Sequence, residues 1–205
     1  MKGKKLLIEV LIIVVLSTSF VFAGSVNGQY NGFPVVKVNV NGKALSLDVP
    51  GIAMQSKTLL PVRAVAENLN AIVIWNESTM TANLIQPEVD LLFVNDVEEN
   101  DDGTWNLINP FGYVDKGKQD YILLYYEITN ISKQTSVFKV VVHDTDGKII
   151  AEETDSAKIV DQSGIYGILP FENITFDKAG AYTFEFQMLY DNKFQTVAKK
   201  TLFAE

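Results

Sequence analysis

Cysteine is absent from this 205-residue chain, and histidine and arginine each occur once, as His143 and Arg63. Without cysteine neither a disulfide nor a thiolate-bound metal can form, so the fold must depend on the burial of apolar side chains. A single histidine excludes a metal centre built from three histidines, and no glycine-rich phosphate-binding loop is present. Since the formal net charge is −8, we expect the chain to repel nucleic acid.

The first 23 residues follow the three-part plan of a secretory signal peptide. Three lysines precede an apolar run from Leu6 to Phe22, and the small residue Ala23 suits signal peptidase, which predicts cleavage before Gly24 and export. The alternative is an uncleaved membrane anchor, because the run approaches the roughly 20 residues that a bilayer requires. We therefore expect a secreted or surface-associated protein that contacts a membrane only if this segment is retained.

Residues 33–87 predict a small α+β domain with the order β-β-α-β-β. In VVKVNVNGKALSLDV, apolar residues alternate on both sides of Asn41-Gly42, a pair that favours a type I′ hairpin turn, and the register places Val36 opposite Leu47. The run TLLPVRAVAENLNA has apolar residues at helical spacing, with Pro61 near the first turn. AIVIW and TMTANLI then indicate two strands joined by a turn at NEST.

Within residues 34–87, the run VNVNGKALSLDVPGIAMQSKTLLPVRAVAENLNAIVIWNEST resembles the N-terminal domain of copper amine oxidases, a stalk-type module of secreted and surface proteins of Gram-positive bacteria. The elements that carry the resemblance are Asn41-Gly42-Lys43, Thr58 to Ala64, Ala66-Glu67, Leu69, Ala71 and Trp75-Asn76.

This resemblance implies structural roles for Pro61, Arg63, Glu67 and Trp75. Where the family usually has glycine the chain has Asn70, which is the next-best residue for the left-handed turn that ends a helix. The oxidases bind copper through three histidines and carry a tyrosine-derived quinone. One histidine cannot supply that site, so the resemblance implies a non-catalytic appendage without a cofactor.

Arg63 lies near the start of the predicted helix, where the helix dipole disfavours a cation. We therefore expect a compensating carboxylate, either Glu67 one turn further on or Asp48 in the preceding hairpin. The guanidinium would then join the helix to the hairpin, since it can bond a carboxylate and carbonyl groups at once. The functional alternative is that Arg63 binds an anion.

Residues 88–205 predict an all-β, immunoglobulin-like sandwich, because short strand-like runs are separated by turn signals. The ending FENITFDKAGAYTFEFQMLYDNKFQTVAKKTLF also resembles the last strands of bacterial immunoglobulin-like modules. One apolar face of AYTFEFQMLY is predicted to belong to the core, and its residues are Tyr182, Phe184, Phe186, Met188 and Tyr190.

A hairpin of YILLYYEIT with SVFKVVVHD is predicted to create a partner surface. A turn at Lys133 would place Leu123 opposite His143 and Tyr125 opposite Val141 on one face, which is more apolar than a solvated sheet face should be. We expect either another part of the chain or an external partner to cover it. The opposite face would be core, with the pairs Ile128–Phe138, Tyr126–Val140 and Leu124–Val142.

The acidic run NDVEENDDG, residues 95–103, has two interpretations. Its carboxylates suit calcium, but the twelfth position of an EF-hand loop would be Asn109 where a bidentate glutamate is needed. The alternative is a solvated interdomain or hairpin loop.

The sequence is compatible with two functions. In the first, a non-enzymatic stalk-type domain presents the sandwich to a cell-envelope polymer or a surface protein. In the second, the sandwich is a carbohydrate-active or hydrolytic enzyme with an unrecognised carboxylate site. Clustered carboxylates in a deep cleft would favour the enzyme, and an exposed aromatic face would favour binding.

Overall fold

The computed structural model describes residues 27–131, 135–158, 164–190 and 192–205, so the predicted signal peptide at residues 1–23 lies outside the described chain. The chain forms two compact units, one up to Pro61 and the other from Val62 to Glu205. The division into domains 33–87 and 88–205 stays a prediction. Within the described ranges no helix is long and apolar enough to cross a membrane.

The first unit consists of short antiparallel strands. They are β1 (Gln29–Tyr30), β2 (Phe33–Val36), β3 (Asn39–Val40), β4 (Lys43–Ala44), β5 (Gly51–Met54) and β6 (Lys57–Leu59). Strands β1, β2, β5 and β6 form a four-stranded sheet in that order, and β3 pairs separately with β4.

The predicted turn at Asn41-Gly42 is present, but its hairpin is shorter than predicted. The two φ angles are 50° and 78°, as a type I′ turn requires. Val36 pairs with Gly51, so the predicted pairing of Val36 with Leu47 is wrong. Glycine permits this pairing, since a Cβ at position 51 would lie 2.7 Å from the Leu60 side chain and 3.2 Å from the Val36 carbonyl oxygen.

The β5–β6 hairpin was not predicted. Its two turn residues, Gln55 and Ser56, have φ angles of 49° and 60°, a left-handed conformation that such residues adopt uncommonly. Neither residue type signals this turn as Asn-Gly does. The first unit therefore contains more strands than the simple β-β-α-β-β order provides.

The second unit begins with the one helix of the described chain, α1 (Val62–Asn68), followed by the hairpin of β7 (Ile72–Asn76) and β8 (Thr81–Ile85). Asn70 ends the helix with a φ of 59°, as predicted. Its backbone N–H donates to the Glu67 carbonyl at 3.2 Å, and the N–H of Ala71 donates to the Ala66 carbonyl at 2.9 Å. This is the Schellman pattern of helix termination.

The remaining strands form a sandwich-like arrangement of two sheets. They are β9 (Glu88–Val94), β10 (Asp96–Glu99), β11 (Trp105–Ile108), β12 (Tyr113–Val114), β13 (Gly117–Thr129), β14 (Thr135–His143), β15 (Ile149–Lys158), β16 (Ile165–Phe176), β17 (Gly180–Tyr190) and β18 (Lys193–Ala204). One sheet has the order β12-β18-β17-β14-β15, the other has the order β16-β13-β9, and β10–β11 is a separate hairpin.

The core lies between these two sheets. All five residues of the predicted apolar stripe on β17 are buried, with exposures from 0% to 6%. The ring of Phe184 meets those of Phe93 and Phe171 at centroid distances of 4.7 and 5.3 Å. Ile72 of β7 also belongs to this core. The predicted role of the stripe is therefore confirmed.

The predicted hairpin of β13 with β14 is wrong. Strand β13 pairs with β16 and β9, whereas β14 pairs with β15 and β17. The two strands lie in opposite sheets and face each other across the core, where the rings of Tyr126 and Phe138 are 5.8 Å apart. Alternating apolar residues identify the buried face of a strand but not the strand beside it, which explains the error.

Candidate functional site

The four residues of the predicted partner surface do not form one surface. Leu123 and Tyr125 lie on the outer face of the three-stranded sheet, and Val141 and His143 lie on the outer face of the five-stranded sheet. Leu123 and Val141 are buried, at 6% and 3% exposure. The hydroxyl of Tyr125 donates to Glu127 at 3.3 Å, and burial together with that carboxylate raises the Tyr125 pKa to about 12.

An ionic network surrounds Val141 on the outer face of the five-stranded sheet. Glu185 is bound by the ammonium of Lys199, and its Oε2 lies 3.5 Å from His143 Nε2. Thr196 donates a further hydrogen bond to Glu185 at 3.4 Å. Burial raises the Glu185 pKa, but the hydrogen bond and charge of Lys199 outweigh it, so the net pKa is lowered.

Replacing Glu185 with glutamine is expected to lower the free energy of unfolding at pH 7 by about 1 kcal/mol, as for a lost charged hydrogen bond. Because the pKa is lowered in the folded protein, the contribution is present above the ordinary glutamate pKa of about 4.3 and is lost as the pH falls below it. Urea denaturation at pH 7 and at pH 3 measures the loss of stability and its dependence on pH. Glu172→Gln is the control, since this exposed residue has no ion pair among the described residues. Equal stability losses at the two pH values would contradict the assignment.

A cleft of about 730 Å³ lies between helix α1 and the β17–β18 hairpin. The helix and the turn after it contribute one side, lined by Arg63, Glu67, Asn68 and Asn70. The hairpin contributes the other side, lined by Tyr190, Lys193, Phe194, Gln195, Thr196 and Lys199.

A bulge in β18 shapes the hairpin side of the cleft. Gln187 pairs with Thr196 and Phe186 pairs with Ala198, so Val197 is the extra residue between two successive pairs. Val197 is buried at 4% exposure, while Thr196 and Lys199 line the cleft. The bulge thus lets Val197 pack into the core while the polar residues on either side of it still face the cleft.

Arg63 is fixed by a backbone group on the next strand. Its Nη1 donates to the carbonyl oxygen of Val73 at 3.1 Å. In the part of the chain that the structure describes, Arg63 has no ion pair with Glu67, although both residues line the cleft. A bridge to Asp48 stays a prediction. Of the other motif residues, Pro61 directly precedes α1, and Trp75 lies on β7 at 48% exposure.

Sequence reasoning found Arg63 and Glu67 but missed the hairpin side of the cleft. The available signal was the short run DNKFQ after a strand with an apolar face, where an aromatic and a lysine follow a turn-forming pair. Asn192 has a φ of 59°, which is typical of such a turn. Nothing in the pattern indicated that α1 would lie beside this hairpin.

The cleft is lined mainly by amide, cationic and aromatic side chains. Glu67 is the one carboxylate among the described lining residues, whereas glycoside hydrolysis requires a pair on either side of the bond. Across the described residues no three His, Cys, Asp or Glu side chains are grouped to hold a metal ion. Amide, ammonium, guanidinium and aromatic groups remain, and these bind polar ligands by hydrogen bonds and stacking.

The acidic run at residues 95–103 forms strand β10 and the turn that leads into β11, so it belongs to a hairpin, as one of its two interpretations predicted. Asp102 accepts hydrogen bonds from the hydroxyl and the backbone N–H of Thr104, at 2.6 and 3.0 Å, and these bonds lower its pKa. Its carboxylate therefore stabilises the turn. Calcium binding by this run stays a prediction.

An exposed pair of aromatic rings forms a second surface feature. Tyr113 of β12 and Phe203 of β18 are stacked with centroids 5.6 Å apart and are 62% and 42% exposed. Neither ring lines the cleft, so the polar groups of the cleft do not assist binding at this pair. The pair is therefore a weaker candidate site than the cleft.

Comparison with known proteins identifies part of the chain. No curated protein matches it. The immunoglobulin-like resemblance of the C-terminal part is compatible with the all-β sandwich. The copper amine oxidase N-terminal domain is a non-catalytic stalk domain. Residues 36–96 match the family model of the copper amine oxidase N-terminal domain, which confirms the resemblance found at residues 34–87 and extends it into β10.

Proposed function

We propose that this is a non-enzymatic, secreted or surface-associated protein of a Gram-positive-type bacterium, in which a stalk-type domain and a β-sandwich together bind a cell-envelope polymer or a surface protein. The cleft is the observation that supports this proposal most strongly. One side of it comes from the family-matching helix and the other from the sandwich hairpin. The two parts of the sequence thus supply a single binding site.

The chemistry of the lining residues favours a polymer over a small metabolite. The cleft is open, and its groups are spread along a helix and a hairpin instead of converging on one enclosed point. Phe194 offers a ring that is 38% exposed, against which an apolar face of a sugar unit packs. A repeating ligand compensates for few contacts per unit by engaging several units.

Co-sedimentation with the insoluble envelope fraction of a Gram-positive bacterium tests the proposed function. We expect the purified protein to pellet with this fraction in a saturable manner and to release no soluble sugar or peptide from it. Phe194→Ala is expected to weaken binding several-fold, since stacking on one ring is worth roughly 1 kcal/mol. Tyr121→Ala is the matched control, because Tyr121 is 54% exposed and does not line the cleft.

Two results would contradict the proposal. Protein that stays in the supernatant at every concentration would remove the binding function. Release of soluble fragments in proportion to time and protein concentration would instead favour the carbohydrate-active or hydrolytic alternative.

A further inference from the structure

The cleft gathers cations in a chain whose formal net charge is −8. Arg63, Lys193 and Lys199 line it, against the single carboxylate of Glu67 among the described lining residues. A fourth cation contacts one of the lining residues, because the ammonium of Lys139 lies over the Phe194 ring, 4.6 Å from its centroid. The local charge therefore has the opposite sign to that of the whole protein.

These cations are not equally available to a ligand. Lys199 is neutralised by Glu185, and Lys139 lies 3.7 Å from Glu152. Arg63 uses one nitrogen for the Val73 carbonyl, and among the described residues its other N–H groups have no partner, so they can form a fork. Lys193 is exposed and forms no ion pair within the described ranges. Arg63 and Lys193 are thus the cations on which a bound anion would depend.

Neutral groups beside these cations suit hydroxyl-bearing units. The Oε1 atom of Gln195 is buried and has no hydrogen-bond partner among the described residues, although an unsatisfied buried acceptor is costly. Thr196 offers a hydroxyl on the same strand, and the Phe194 ring, one face of which lies under Lys139, is 38% exposed. A ligand that brings hydroxyl donors and an apolar ring or chain face satisfies all three.

We propose that the cleft binds an anionic polymer of sugar or polyol units, held through a carboxylate or phosphate group on each unit. This proposal rests on the proposed function and names the class of envelope polymer. The Arg63 guanidinium contacts the anionic group in the forked geometry that both carboxylate and phosphate accept, and Lys193 contributes a second charge. Phe194 packs against the unit, and the amide of Gln195 forms a hydrogen bond with one of its hydroxyl groups.

Three soluble probes test the proposal in calorimetric titrations. Polygalacturonate carries carboxylates, poly(glycerol phosphate) carries phosphates, and dextran carries no charge. We expect binding to at least one of the two anionic polymers, with affinity that falls as the salt concentration rises, and we expect no binding to dextran. The anionic polymer that binds more tightly identifies the charged group.

Lys193→Glu is the decisive variant. Reversing this charge is expected to weaken binding of the anionic polymer about tenfold, since two units of charge change beside the bound anion. Lys148→Glu makes the same change of net charge on an exposed residue outside the cleft and is expected to alter affinity less than about twofold. Thermal unfolding of both variants checks that the fold is retained.

The outcomes separate this proposal from the proposed function. Equal weakening by the two variants, or dextran binding as tight as that of the anionic polymers, would overturn the anionic-polymer proposal. So would envelope co-sedimentation that Lys193→Glu leaves unchanged, in which case the protein still binds the envelope through other contacts. Failure of the unmodified protein to co-sediment would overturn the proposed function itself.

Discussion

Replacing Gly167 with alanine is expected to lower the free energy of unfolding by about 2 kcal/mol, the cost of overpacking a filled core. A Cβ at this position would lie 2.5 Å from the hydroxyl oxygen of Tyr126 and 2.6 Å from its Cζ. The ring cannot retreat, because Tyr126 is 2% exposed and packs against Phe138 and Phe186. Its hydroxyl also donates to Asp155 at 3.0 Å, which ties the two sheets together.

Urea denaturation of the variant beside Gly112→Ala measures this effect. A Cβ at Gly112 would have no neighbouring atom within 4 Å, so the control carries the same chemical change without the clash. We expect the control to unfold within about 0.5 kcal/mol of the unmodified protein. Equal denaturation midpoints for the two variants would show that the Tyr126 ring does not lie against Gly167.

Replacing Phe184 with alanine is expected to cost about 3–5 kcal/mol, the largest effect of any single change considered. Phe184 is fully buried, at 0% exposure, and its ring contacts Phe93 and Phe171 of the opposite sheet. Removing it leaves a cavity that rigid strands on both sides cannot fill. Thermal and urea unfolding, followed by circular dichroism, measure the loss.

Phe194→Ala is the matched control, because this phenylalanine belongs to the strand paired with that of Phe184 but is 38% exposed. We expect it to change stability by less than about 1 kcal/mol while weakening envelope binding. Comparing the two variants thus separates the effect of core packing on stability from the effect of the cleft on binding. Similar stability losses for both would mean that Phe194 is part of the core and that the hairpin side of the cleft is wrongly assigned.

The sequence predicted local structure well where one residue type determines the backbone. Asn41-Gly42 forms the expected turn, and Asn70 adopts the left-handed conformation that ends α1. The Gln55-Ser56 turn escaped prediction because its positive φ angles come from the surrounding sheet, not from the residues themselves. Local preference and tertiary context agreed at the first two sites and disagreed at the third.

Pairing between strands was the part that the sequence could not determine. The residues predicted to be core on β13 and β14, such as Tyr126 and Phe138, are buried. They nevertheless meet across the sandwich instead of within one sheet. Periodicity fixes which face is apolar, but either arrangement buries that face, so the predicted surface of Leu123 and Val141 was divided between two sheets.

The cleft is formed by residues that are distant in sequence, so the sequence indicated its helix side but not its hairpin side. Arg63 stood out as the one arginine, and its anion-binding alternative is the interpretation that the proposed ligand class favours. Lys193 and Gln195 had no distinguishing pattern and acquire their significance only from lying opposite α1. A cavity formed by two packed elements is a property of the tertiary structure, so composition and spacing carry little information about it.

Backbone amide NMR tests the central claim, that this cleft binds an envelope polymer, most directly. The isotopically labelled protein would be titrated with soluble fragments released from the same insoluble envelope fraction. We predict saturable shift changes that cluster at Arg63, Asn70, Lys193 and Gln195, with smaller changes at the exposed ring pair of Tyr113 and Phe203. Shift changes centred on that ring pair, or none at saturating fragment concentration, would contradict the account.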